Sequence, residues 1–134
     1  MLLEKSSKKT RRYIELAKNI ALQSNYGKLW HGAILVKGGS VINGAYNKNN
    51  YNSFGSRFRL PHRGPATLHA ELGCVLGIPR TVTQGSTVYV ARISRTGEYR
   101  MSKPCPMCHA VLKHVGVKKV IFSKNSLEID SYKL

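Results

Sequence analysis

Acidic side chains are scarce in this chain of 134 residues: six Asp and Glu stand against 22 Lys and Arg, for a formal net charge of +16 at pH 7. So basic a balance favours an anionic partner, nucleic acid first, over the near-neutral surface of an ordinary soluble enzyme. The plainer reading is a well-solvated surface that keeps a small protein soluble and monomeric. Long apolar runs are also missing. Met1-Leu2-Leu3 gives way at once to Glu4-Lys5, so neither a signal peptide nor a spanning helix is expected there, and a membrane partner is disfavoured. Cysteine is sparse and odd in number, three in all, which excludes a disulfide framework and suits a reduced intracellular setting, cytoplasmic or nuclear. Internal repeats and low-complexity linkers are absent.

What is present suffices for one core. Apolar residues make up 42% of the chain, and its length suits a single domain spanning residues 1–134. Thr10 to Ser24 places Tyr13, Ile14, Leu16, Ala17, Ile20 and Ala21 at helical spacing, which predicts an amphipathic helix. Trp30 to Val36 and Ser40 to Tyr46, joined by Lys37-Gly38-Gly39, read as a β-hairpin. Asn47 to Thr67 reads as a long loop, and Leu68 to Leu76 as a helix ended by Gly77-Ile78-Pro79. Ser86 to Ser94 reads as a strand, Arg95 to Glu98 as a turn, Cys105 to His114 as a helix closed by Gly116, and Val117 to Ser123 as another strand. Leu127 to Tyr132 alternates well enough for a last strand. The turn around Asn125-Ser126 is too short for the crossover a parallel neighbour needs, so this strand is expected to be antiparallel.

Chemistry concentrates in two places, His69-Ala70-Glu71 and Pro104-Cys105-Pro106-Met107-Cys108. An imidazole and two thiolates are a common ligand set for a catalytic zinc ion with its fourth position open, and a carboxylate two residues after the histidine is placed to handle protons there. Both motifs fall at expected helix starts, where the positive end of the helix stabilises thiolates. A purely structural zinc site would want a fourth protein ligand. His109 and His114 are the nearest spares, and His109 is expected to point off the helix face that holds the metal. His62 and His31 read as loop or surface histidines, and Cys74 as a small buried hydrophobe.

On these two motifs the chain resembles the cytidine deaminase-like superfamily of zinc-dependent nucleobase deaminases, whose signature pairs H-x-E with P-C-x-x-C. The resemblance implies a three-layer α/β/α domain with a central mixed sheet and one Zn2+ per chain held by His69, Cys105 and Cys108. Bound zinc would lower the pKa of water from about 15.7 towards about 7, an effect moderated by two thiolates. Glu71 would take up the water proton, deliver it to the ring nitrogen beside the attacked carbon, and later protonate the departing amine. Asn47, in a segment resembling the family's second strand and following turn, would hydrogen-bond the sugar. The backbone N–H of Ala70 and carbonyl of Lys103 would read the base edge. In this superfamily an antiparallel last strand belongs to the free-cytidine and blasticidin deaminases and several polynucleotide-directed relatives. The tRNA adenosine, deoxycytidylate and APOBEC-type enzymes carry a parallel one.

Arg57, Arg59 and Arg63, interleaved with Tyr51, Phe54 and Phe58, lie in the long loop leading to His69. Arginines for phosphates and rings for unstacked bases suit single-stranded DNA or RNA. The alternative is a charged loop closing over a small phosphate-bearing substrate. Lys5, Lys8, Lys9, Arg11 and Arg12 are open to three readings: a second phosphate patch, an import-like cluster, or a frayed solvated end, which is the commonest. The chain is therefore expected to deaminate cytosine to uracil in single-stranded nucleic acid. The alternatives are a deaminase of free cytidine, deoxycytidine or their monophosphates, and a zinc-stabilised nucleic-acid-binding module without turnover.

Overall fold

The computed structural model describes residues 1–24, 29–51 and 67–134. Its first long element is helix α1, Lys8–Ala21, which begins two residues earlier than its apolar spacing indicates because Ser7 caps it. The Ser7 hydroxyl oxygen accepts a hydrogen bond from the Thr10 N–H at 3.1 Å, satisfying a donor that the helix itself leaves unpaired. Lys8, Lys9, Arg11 and Arg12 thus stand exposed on an ordered, capped helix and Lys5 on a short 3-10 turn, which corrects the expectation of a frayed end.

Strands β1 (Leu29–Lys37) and β2 (Ser40–Tyr46) form the expected hairpin. Gly38 and Gly39 both take positive φ, 58° and 79°, as a two-residue turn matched to strand twist requires. Strand β5 (Thr87–Ser94) pairs antiparallel with β1, and the short β6 (Tyr99–Arg100) folds back on β5 through the turn containing Gly97. Strand β7 (Lys119–Ser123) lies parallel to β5, with a helix α4 (Pro106–His114) in the crossover between them. Strand β8 (Ile129–Lys133) is antiparallel to β7, as the short turn demands. Asn125 Oδ1 closes that turn by accepting from the N–H groups of Leu127 and Glu128 at 2.8 and 2.9 Å. The result is a mixed six-stranded sheet in the order β2-β1-β5-β7-β8, with β6 against β5.

Helices cover both faces. On one, α1 buries Tyr13 and Ile14 against Ile34, Val36, Tyr89, Ile121 and Ile129. On the other, α2 (Ala70–Val75) and α4 bury Ala70, Leu72, Val111 and Leu112 against Ala33, Leu35, Val88, Val90, Val120 and Phe122. Strand alternation assigns these two sets to opposite faces, which gives the expected three layers.

The structure departs from the sequence reading beside His69. The ends of the long loop are paired strands, β3 (Lys48–Tyr51) against β4 (Thr67–Leu68), so the helix starts at Ala70 and not at Leu68. A four-residue helix α3, Arg80–Thr83, was also not expected from a β-branched Thr-Val-Thr run. Its Thr83 is fully buried and donates from Oγ1 to the Val115 carbonyl at 2.7 Å, a tertiary contact that overrides local propensity.

Close packing of α1 on β1 depends on Gly32. A Cβ there would sit 2.0 Å from the Ala17 carbonyl oxygen and 2.6 Å from the Ala21 nitrogen, both backbone atoms that cannot swing aside. Gly32→Ala is therefore expected to destabilise the protein by about 3 kcal/mol or more and to lower Tm by about 10 °C. Thermal unfolding checks this, and an unchanged Tm would refute the close approach.

Candidate metal centre

Two helix starts on one sheet face build the site. His69 is the residue just before α2, with extended backbone (φ −72°, ψ 155°), and Cys105 holds the same position before α4 (φ −68°, ψ 167°). Cys108 follows in the first turn of α4, so both sulfurs reach the same side. His69 Nδ1 lies 3.6 Å from Cys105 Sγ and 3.3 Å from Cys108 Sγ, and the three donor atoms all fall within 4.8 Å of one another. Zinc bonds of about 2.0–2.1 Å to nitrogen and about 2.3 Å to sulfur, held at tetrahedral angles, place such donors about 3.6 Å apart. The donor chemistry and spacing fit one zinc ion, and this His/Cys/Cys group is positioned to bind it.

The sulfurs differ in their hold on a proton. Hydrogen bonding from Cys108 lowers the Cys105 thiol to about 3 against the opposing effect of burial, with His69 adding to the drop. Cys108 is pushed well up, first by that same bond and then by its burial. A cation bound between them would favour the thiolate form of both.

Glu71 is 4% exposed, one of few buried charged or polar side chains. Burial raises its pKa above the ordinary carboxylate range and outweighs the lowering by His69, its own backbone and the Cys108 thiol. A carboxyl whose burial favours its protonated form, set beside a metal group, can both give and take a proton.

Ala70 is fully buried at the first position of α2, and Lys103 is exposed two residues before Cys105. Asn47 is buried at the end of β2. Its Oδ1 accepts from the His31 N–H at 2.9 Å, and its own N–H donates to the His31 carbonyl at 3.2 Å. Arg57, Arg59, Arg63, Phe54, Phe58 and His62 lie outside the described residues. His109 is not part of the donor group formed by His69, Cys105 and Cys108, and its ring stacks on Tyr132 at 5.6 Å. Cys74 is buried, as expected of a small hydrophobe, and its thiol donates to the Glu71 carbonyl at 3.2 Å.

Two neighbours escaped the sequence reading. His31 is not a loop or surface residue: it sits within β1, and burial, with help from the charges of Arg92 and His69, lowers its pKa to about 4. Its parity with Ala33 and Leu35 was the available signal, since a polar residue in an otherwise buried row faces either the core or a site. Tyr132 on β8 is pushed up to about 12, first by burial and then by the charges of Glu71, Cys108 and Cys105, which place it near the metal group.

The family model for the cytidine and deoxycytidylate deaminase zinc-binding region matches residues 7–124. The chain belongs to this family. Its fold is similar to that of the dCMP deaminase from the cyanophage S-TIM5, with a TM-score of 0.60 and 24% identity, over 89% of this chain and 85% of that one. It is also similar to cytidine deaminase from Mycobacterium tuberculosis (TM-score 0.53, 22% identity, 87% and 88% covered). The match to RibD of Acinetobacter baumannii (TM-score 0.55, 18% identity) covers 87% of this chain but 28% of that one. A search of curated proteins finds no significant match. Membership of a zinc-dependent deaminase family implies hydrolytic chemistry. Among the described residues no helix is long and apolar enough to cross a membrane.

Because the three donors come from two helices far apart in the chain, a metal ion among them also ties the fold. His69→Ala or Cys105→Ala is expected to abolish stoichiometric zinc and to lower thermal stability markedly. Elemental analysis with melting curves checks this, and a variant that kept one tightly bound zinc and its Tm would exclude that residue as a ligand.

Proposed function

We propose that this protein converts cytosine to uracil by hydrolytic deamination and acts on single-stranded nucleic acid. The observation that carries the chemistry is the buried Glu71 carboxyl beside the His69, Cys105 and Cys108 donors. His69, Cys105 and Cys108 would hold the zinc ion, which when bound would supply a nucleophilic water of lowered pKa near neutral pH. Glu71 accepts the proton that water gives up and passes it to N3 as the oxygen adds to C4 of the ring. It then takes the remaining proton of the new C4 hydroxyl and delivers it to the exocyclic amine, so that the C4–N bond breaks, the C4 carbonyl forms, and ammonia leaves. The Ala70 N–H and the Lys103 carbonyl flank the metal ligands and are suited to the base edge, and Asn47 closes the side of the site next to His31.

The polymer is favoured by charge. On the described surface Lys48, Arg92, Arg100 and Lys103 lie on or beside the elements that hold the metal group. Among the acids on those elements, Glu71 is buried and Glu98 is paired with Arg100 at 3.1 Å. Arg57, Arg59 and Arg63 add three more cations to the segment that leads into His69. A second reading, a deaminase of free cytosine nucleotides, is favoured by the likeness to the S-TIM5 dCMP deaminase, a protein whose structure is also known in complex with dCMP and dUMP.

Glu71→Gln should keep zinc and fold normally while turnover falls by at least about 10²- to 10⁴-fold, the contribution of a positioned acid–base group. Near-normal turnover by the folded, zinc-loaded variant would remove Glu71 from the mechanism.

Base conversion followed by mass spectrometry on single-stranded DNA, RNA, duplex DNA, deoxycytidine and dCMP separates the substrate classes. A polynucleotide enzyme should convert the single strand, bind it with a log–log salt slope of about −0.7 per phosphate neutralised, and lose much of that slope in an Arg57, Arg59, Arg63→Ala triple variant. Efficient turnover of dCMP with no conversion of the oligomer would establish the second reading instead.

A further inference from the structure

Across the β1–β5 pair, Leu35 faces Val88, Ala33 faces Val90, and His31 faces Arg92. The first two couples are core beneath α2 and α4, so strand alternation carries His31 and Arg92 onto that same face. The metal group acts there too, since the charges of Arg92, His69 and Cys105 all bear on His31. The His31 backbone is tied on its other side to Asn47 through two hydrogen bonds. Arg92 is the anomaly in this row. Among the described residues its Nε is the buried side-chain polar atom with no hydrogen-bond partner. Among the described residues no ion pair engages its guanidinium either, and the carboxylate of Glu98 is taken by Arg100.

Buried donors are ordinarily satisfied, and a planar guanidinium with unused N–H groups is suited to a phosphate. We propose that Arg92, assisted by the His31 imidazole, forms the subsite for the phosphate of the target nucleotide. The proposal rests on the cytosine deaminase reading above and sharpens it: the substrate is a nucleotide, free or within a polymer, and not a nucleoside. His31 supplies a neutral donor beside the guanidinium, and Asn47 on the adjoining strand end keeps the sugar between phosphate and base.

The test uses the zinc-loaded protein with deoxycytidine, dCMP and a single-stranded oligonucleotide bearing one cytosine. Binding is followed by calorimetry and turnover by kcat/KM. The phosphate-bearing ligands should bind about 10- to 100-fold more tightly than deoxycytidine, as a charge-assisted contact implies. In Arg92→Gln that ratio should collapse towards one, and Arg92→Lys should recover part of it. Equal affinity of the unaltered protein for deoxycytidine and dCMP, with no gain for the oligonucleotide, would overturn the proposal. So would an undiminished ratio in folded Arg92→Gln. Should that variant fail to fold, Arg92→Lys decides, since loss of the planar fork should still reduce the ratio several-fold and an unchanged ratio would refute the assignment. A gain with dCMP alone identifies a free nucleotide as the source of the phosphate, and a gain with the oligonucleotide identifies the polymer. Failure of every cytosine ligand to release ammonia would count against the deaminase reading, whereas the binding ratio reports on the phosphate subsite by itself.

Discussion

The approach of His69 Nδ1 to two sulfurs, at 3.3 and 3.6 Å, is the constraint on which the rest of the molecule turns. Those atoms come from the starts of α2 and α4, which meet because both helices pack on the same face of one sheet. The parallel pairing of β5 with β7 makes this arrangement possible, since the crossover it requires is the segment that contains Cys105, Cys108 and α4. Beginning each helix at the ligand aims the partial positive charge of its N-terminus at the thiolates and at Glu71. Fold and metal group are in this sense one construction.

Electrostatics divides the molecule by face. The face covered by α1 presents Lys8, Lys9, Arg11 and Arg12 to solvent on a capped helix, remote from the metal group across the sheet. The face of α2 and α4 instead holds ionisable groups away from water: Glu71 raised by burial, His31 lowered by it, and an Arg92 nitrogen without a partner among the described residues. Such groups cost stability unless something compensates them, and they are concentrated around the three metal donors. The chain's positive charge is therefore distributed in two ways, solvated along α1 and partly buried beside the metal donors.

Much of this was written in short stretches of sequence. The hairpin turn needs only Gly38-Gly39 with positive φ, the helix α1 only its apolar spacing, and the antiparallel β8 only a turn too short for a crossover. The metal group was legible because its motifs combine residue types that few other roles require, each at a helix start. Tertiary structure alone decided which side chains join that group. His31 and Arg92 are about sixty residues apart in the chain and become neighbours only through the β1–β5 register, while Tyr132 arrives on a strand whose polar-apolar alternation says nothing of a metal nearby. The pairing of β3 with β4 and the short α3 were likewise hidden, because partners distant in sequence hold them against weak local preference. Local periodicity and turn chemistry act over a few residues and can be read along the chain. Register between strands and the burial of a single polar group depend on the whole packed sheet, and exist only once it has formed.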